Sequence, residues 1–160
     1  MAANGIKAYI FPSLRPTPML SFALCELGCT AGVVVTASHN PPQYNGYKVY
    51  WEDGAQITAP KDKQIITEVQ AITDFAQVKT MSEEDAKAAG LYEVIGEEID
   101  DKYMKALKKL VLRPEAIKEQ ELPDGDFPTV SYPNPEDKNA FTLALKLAKE
   151  VDTDIATGET

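Results

Sequence analysis

One short stretch of this sequence gathers the residue types that phosphoryl chemistry uses: Ser38, His39, Asn45 and Lys48, with Asn40 and Pro41 between them. A serine hydroxyl is a weak nucleophile and accepts a phosphoryl group only with a nearby base, a positive environment, or both. The transfer itself depends on positioning and charge neutralisation, which backbone N–H groups, lysine, arginine or a divalent cation provide. Two other readings fit the same residues. Ser38 and Asn40 are ordinary turn formers and make a polar turn before Pro41, with His39 on the surface. A serine hydrolase is the third reading, but adjacent residues seldom set an imidazole against the neighbouring hydroxyl, and no Gly-x-Ser-x-Gly elbow occurs. Spacing alone leaves the choice open.

The flanking elements must place this stretch. Residues 6–11 read as a short strand and 12–18 as a turn-rich connection, with Thr17 as helix N-cap and Pro18 as first helical residue. A helix through Met19–Leu27 then stops at Gly28, which suits a left-handed cap. The run Ala31-Gly32-Val33-Val34-Val35 is apolar without alternation, the pattern of a strand buried on both faces. Together these predict a βαβ unit with parallel strands, and the 36–41 segment falls past the carboxyl end of its second strand, where open parallel sheets bind ligands. Tyr47–Trp51 reads as a further strand, with residues 55–58 returning beside it. Helices are expected over 60–72, with Ile65, Ile66, Val69 and Ile72 inward, from Ser82 onward, over 101–112 and over 136–151. The 73–98 connection carries little chemistry.

The 160 residues suffice for one real core, or one domain and a piece of another. Sixteen Lys and Arg against 25 Asp and Glu give a net charge of −9, with the basic residues scattered, which argues against nucleic-acid or anionic-membrane surfaces. Cys25 and Cys29 share a helix face but are poorly aimed for a disulfide, and reduced core thiols are expected. The first residues lack the basic and apolar regions of a secretory signal, and no apolar run approaches a membrane span, so a cytoplasmic location is expected.

The run Gly32-Val33-Val34-Val35-Thr36-Ala37-Ser38-His39-Asn40-Pro41, followed by Asn45-Gly46-Tyr47-Lys48, resembles the active-site segment of the α-D-phosphohexomutase superfamily, which includes phosphoglucomutase and phosphomannomutase. The continuation Tyr47–Ile57 is most similar to the phosphoglucomutase and phosphopentomutase branch, and Asp126-Phe127-Pro128-Thr129-Val130 with Pro133-Asn134-Pro135-Glu136 is similar to a phrase of the second domain. The resemblance implies an α/β fold: a mixed, largely parallel sheet with flanking helices over 1–112, holding the serine loop, and an incomplete second α/β domain over 113–160. It implies that Ser38 carries the phosphate and that the enzyme interconverts glucose 1-phosphate and glucose 6-phosphate through a bisphosphate intermediate. His39 and Lys48 match positions beside that serine and are the candidates for proton transfer and phosphate stabilisation; Asn40 and Asn45 shape the loop. Arg15 has a phosphate-facing and a structural reading and stays outside the catalytic set. Glucose 1,6-bisphosphate is the implied activator and Mg²⁺ the implied metal, which the Ser38 phosphate would help to bind. A phosphomannomutase or phosphopentomutase is the alternative within the family, and a non-catalytic phosphosugar-binding module the alternative outside it.

Several pieces of that family are not in this sequence. The Asp-x-Asp-x-Asp-Arg metal loop has no counterpart, and Asp124 and Asp126 match the linker phrase instead. A strand and helix expected between residues 112 and 120 are missing, as are the segment before residue 1 and the third and fourth domains. The chain is therefore expected to be a truncated or internally shortened form, or joined parts of a longer chain, with little or no mutase turnover of its own.

Overall fold

The computed structural model describes residues 1–110 and 124–156. In chain order the elements are β1 (Ala8–Ile10), α1 (Thr17–Glu26), β2 (Ala31–Thr36), β3 (Gly46–Trp51), α2 (Lys61–Ala71), α3 (Glu83–Ala88), β4 (Tyr92–Val94), α4 (Glu97–Leu107) and α5 (Thr142–Glu150), with short 3₁₀ turns between some of them. The architecture is α/β, with two small sheets and helices beside them. Clustering of backbone contacts separates two units, one of Met1–Val34 with Val49–Leu110, the other of Val35–Lys48 with the described residues 124–156.

The strand pairing differs from the βαβ expectation. β1 pairs in parallel with β4, Ala8 facing Tyr92 and Ile10 facing Val94, while β2 pairs with β3. The short β4 lies in the 73–98 segment, where three strand residues are too few to show a period. The return of residues 55–58 is present as a single antiparallel bridge, Tyr50 with Gln56, closed by the Trp51 N–H donating to Ala55 and the Ile57 N–H to Val49.

Local chemistry explains the helix ends. α1 starts at Thr17, with Pro16 as its N-cap and Pro18 inside the first turn, one residue ahead of the expected cap. At its end Gly28 takes a φ of 61°, its N–H donates to Cys25, and the Cys29 N–H reaches back to Leu24. That double bond is a Schellman motif, which satisfies carbonyls that the helix would otherwise leave unpaired. In α3 the Ser82 hydroxyl accepts the Asp85 N–H at 3.0 Å, and three acidic residues occupy the first turn. α4 begins at Glu97, not Asp101: Glu97, Glu98 and Asp100 suit the positive end of the helix dipole, and Ile99 turns into the core. Residues 111–112 of that expected helix lie outside the described residues. α5 is shorter than expected because the Asp137 carboxylate accepts the Asn139 N–H and starts a 3₁₀ turn first.

The buried core of the first unit is Met19, Ala23, Leu24, Ala86 and Ile99; α1 packs on α4, with Phe22 edge-on to Tyr103 at 5.4 Å, and α3 on β4. Gly32 on β2 lets α1 approach: a Cβ there would stand 2.9 Å from Leu24 and 3.1 Å from Leu20. β2 is not buried on both faces. Ala31, Val33 and Val35 are exposed, because among the described residues nothing covers the face opposite Gly32 and Val34. In α2 only Ile65 of the four expected inward residues is half-buried; Ile66, Val69 and Ile72 are exposed. Both cysteines are free. Cys25 is exposed, which corrects the expectation of a core thiol, and Cys29 lies past the helix end, where burial pushes its thiol pKa up. No helix among the described residues is long and apolar enough to cross a membrane.

Candidate functional site

Strand β2 ends at Thr36 and delivers the chain into a tight loop. The Asn40 N–H donates to the Ala37 carbonyl at 3.0 Å, closing a β-turn whose central residues are Ser38 and His39. Ser38 has a φ of 57°, unusual for a residue with a side chain, and is exposed at the turn. Its N–H donates to the Thr36 hydroxyl at 2.9 Å. Pro41 then leads into a 3₁₀ turn over Pro42–Tyr44, closed by the Tyr44 N–H donating to Pro41 and the Asn45 N–H to Pro42. Asn45 delivers the chain to Gly46 and β3, which carries Lys48, so one strand-loop-strand device holds every residue singled out in this stretch.

The side chains differ in surroundings. His39 is half-buried, and its Nδ1 is shielded from solvent without a hydrogen-bond partner among the described residues. An unpaired buried nitrogen is costly, and it leaves hydrogen-bonding capacity unused at this atom. Lys48 is half-buried and makes no ion pair among the described residues, so its charge is free to meet an anion. Ser38, His39 and Lys48 share no hydrogen bond with one another among the described residues, so no preassembled Ser-His pair of the hydrolase kind is present. The loop offers instead an open hydroxyl, a shielded imidazole and an ammonium that is unpaired among the described residues.

Arg15 has a different occupation. Its Nε and Nη2 donate to the two Asp100 carboxylate oxygens at 2.8 and 2.6 Å, and Nη1 donates to the Ser13 hydroxyl and the Leu14 carbonyl. The hydrogen bonds from Arg15 hold the Asp100 carboxyl below its ordinary pKa. This bidentate fork ties the β1–α1 connection to the first turn of α4, which is a structural use of the guanidinium. Sequence reasoning had no signal for Asp100 as its partner, since 85 positions separate the two.

A Mg²⁺ ion takes six oxygen ligands in near-octahedral geometry. Among the described residues no group of three or more His, Cys, Asp or Glu could hold a metal, and the Asp124 carboxylate is occupied by the Asp126 N–H at 2.9 Å. The described residues do not make a Mg²⁺ site, and no step proposed for Ser38 passes through one.

Comparison with known proteins agrees with this layout. Residues 1–76 match the family described as phosphoglucomutase/phosphomannomutase, alpha/beta/alpha domain I, and residues 95–158 match its alpha/beta/alpha domain II. A "Probable phosphomannomutase" of Haemophilus influenzae is 39% identical, with 94% of this chain and 37% of that protein covered. The phosphopentomutase of Homo sapiens is 36% identical over 91% of this chain and 30% of its own length. A crystal structure described as that of a "putative phosphomannomutase" from Thermus thermophilus superposes with a TM-score of 0.51 at 32% identity, covering 69% of this chain and 22% of that one. The chain thus spans about a third of the length of these curated relatives. The first alignment runs over 184 positions while covering 94% of 160 residues, about 150, so roughly 34 positions of that relative have no counterpart here. The chain belongs to the phosphoglucomutase/phosphomannomutase family and carries sequence of its domains I and II.

Proposed function

We propose that this chain supplies the phosphate-accepting serine of a phosphohexomutase that interconverts glucose 1-phosphate and glucose 6-phosphate. The observation that carries the reading is the exposed Ser38, in a left-handed turn directly after β2, followed in sequence by the half-buried His39, with Lys48, free of ion pairs among the described residues, on the next strand. In the half-reaction, a P–O bond from Ser38 Oγ forms as the bond between phosphorus and the sugar oxygen breaks. The Ser38 proton passes to the sugar oxygen, with His39 as its carrier, and Lys48 offsets charge on the phosphoryl oxygens. The reverse step returns phosphate to the other sugar oxygen, with glucose 1,6-bisphosphate as the intermediate that primes the serine.

A pentose or mannose phosphate is the second reading, favoured by relatives named phosphopentomutase and phosphomannomutase at comparable identity. Incubation with ³²P-labelled glucose 1,6-, mannose 1,6- and ribose 1,5-bisphosphate separates these possibilities. Fastest labelling from the glucose compound, absent in Ser38→Ala, supports the first reading; a faster pentose or mannose donor replaces it. Reversible binding of all three without labelling is the behaviour of a phosphosugar-binding module.

A further inference from the structure

The backbone at Ser38 is strained, and one neighbouring side chain is placed to hold it. Residues 37–40 form a turn in which Ser38, the first central residue, has a φ of 57°, while His39, the second, is not among the positive-φ residues. A positive φ at the first central position of a turn belongs chiefly to glycine. A serine there gives up a relaxed backbone, and such strain persists only where the surroundings over-determine it. The Ser38 N–H is not used in closing the turn, a role taken by the Asn40 N–H. It donates to Thr36 Oγ1 at 2.9 Å, the one hydrogen bond of Ser38 among the described residues. Thr36 is half-buried at the last position of β2, so its hydroxyl projects from a hydrogen-bonded strand onto the amide of the serine two residues on.

We propose that Thr36 is a positioning residue for Ser38, its hydroxyl fixing the serine amide and with it the left-handed backbone that presents Oγ to the phosphoryl donor. The proposal rests on Ser38 being the phosphate acceptor. Its physical content is the difference between a threonine and an isosteric valine. Valine keeps the shape and is at least as good a strand residue, but it leaves the Ser38 amide without an acceptor and frees the turn to relax to negative φ. Oγ would then leave its near-attack direction, and displacement of a reacting atom by about 1 Å lowers a rate on the order of a hundredfold. Serine at position 36 keeps the hydroxyl and should keep the geometry.

The test compares wild type, Thr36→Val, Thr36→Ala and Thr36→Ser by two readouts. The first, independent of any phosphorylation, is hydrogen exchange of the Ser38 amide by NMR. Exchange should quicken at least about tenfold in Thr36→Val and Thr36→Ala and stay near wild type in Thr36→Ser, with α1 amides unchanged in all four. The second is the rate of phosphate loading of Ser38 from glucose 1,6-bisphosphate. It should fall about 10- to 100-fold in the two hydroxyl-deleted chains and recover to within about threefold in Thr36→Ser. Loading and exchange that are the same in Thr36→Val as in wild type overturn the proposal, as does an equal loss in Thr36→Ser. If the amide loses protection in Thr36→Val but wild type itself takes no phosphate, the phosphoacceptor reading has failed, and Thr36 is reduced to a turn former.

Discussion

Ser38, His39 and Lys48 each have a distinct state in the loop: exposed hydroxyl, shielded imidazole nitrogen, unpaired ammonium. The sequence singles these residues out because the segment is contiguous and its resemblance specific. The φ of Ser38 and the Thr36 hydrogen bond were not, since no residue type other than glycine announces a left-handed backbone. Arg15 shows the opposite limit, because its occupation depends on a partner 85 positions away. Lys48 acts in this account as a point charge, so Lys48→Met should slow phosphate loading of Ser38 about 10- to 100-fold without blocking it. Because the attraction is screened, the wild-type advantage should narrow as salt rises from about 0.05 to 0.5 M. Loading rates of the two chains at both salt concentrations check this.

At the scale of elements, α1 and its Gly28 stop follow from local signals, which is why the sequence shows them clearly. β4 and the true pairing of β1 depend on distant residues, and the apolar run of β2 does not reveal that one of its faces lacks a covering layer. Two contacts that hold the elements together can be tested. Gly54 is buried in the turn after β3 with a φ of 77°; its carbonyl accepts the Ser21 hydroxyl, and a Cβ there would meet Cys25 Sγ at 2.8 Å and Ser21 Oγ at 2.9 Å. Gly54→Ala should therefore cost about 2–4 kcal/mol, backbone strain and overpacking together, measured by urea unfolding. Asp100 has a folded pKa below its unfolded value of about 3.9, through the Arg15 hydrogen bonds. Its contribution is present above that unfolded value and is lost as pH falls through the folded one. Wild type and Asp100→Asn should differ most in thermal midpoint above about pH 5 and converge as pH falls below the unfolded value of about 3.9 and through the lower folded one, as thermal melts over acid pH would show.

At the scale of the whole molecule, the buried apolar residues among those described all belong to the first unit, and none of the described residues 124–156 is buried. Stability should follow that division. Amides of α1 and α4 should be the slowest to exchange, and those of α5 should exchange near the rate of an unfolded chain, by hydrogen-exchange mass spectrometry. The exposed faces of β2 and α2 were not legible beforehand, because an apolar pattern reports what a segment can bury and not whether a covering layer is there. The family and the α/β class were legible, since they rest on long contiguous phrases. The central claim, that Ser38 accepts phosphate from a sugar bisphosphate, is met most directly by intact-mass and peptide mass spectrometry after exposure to glucose 1,6-bisphosphate. The account predicts a gain of about 80 Da, the mass of one phosphoryl group, located on Ser38 and abolished in Ser38→Ala. A chain that gains no mass, or gains it at another residue, would contradict it.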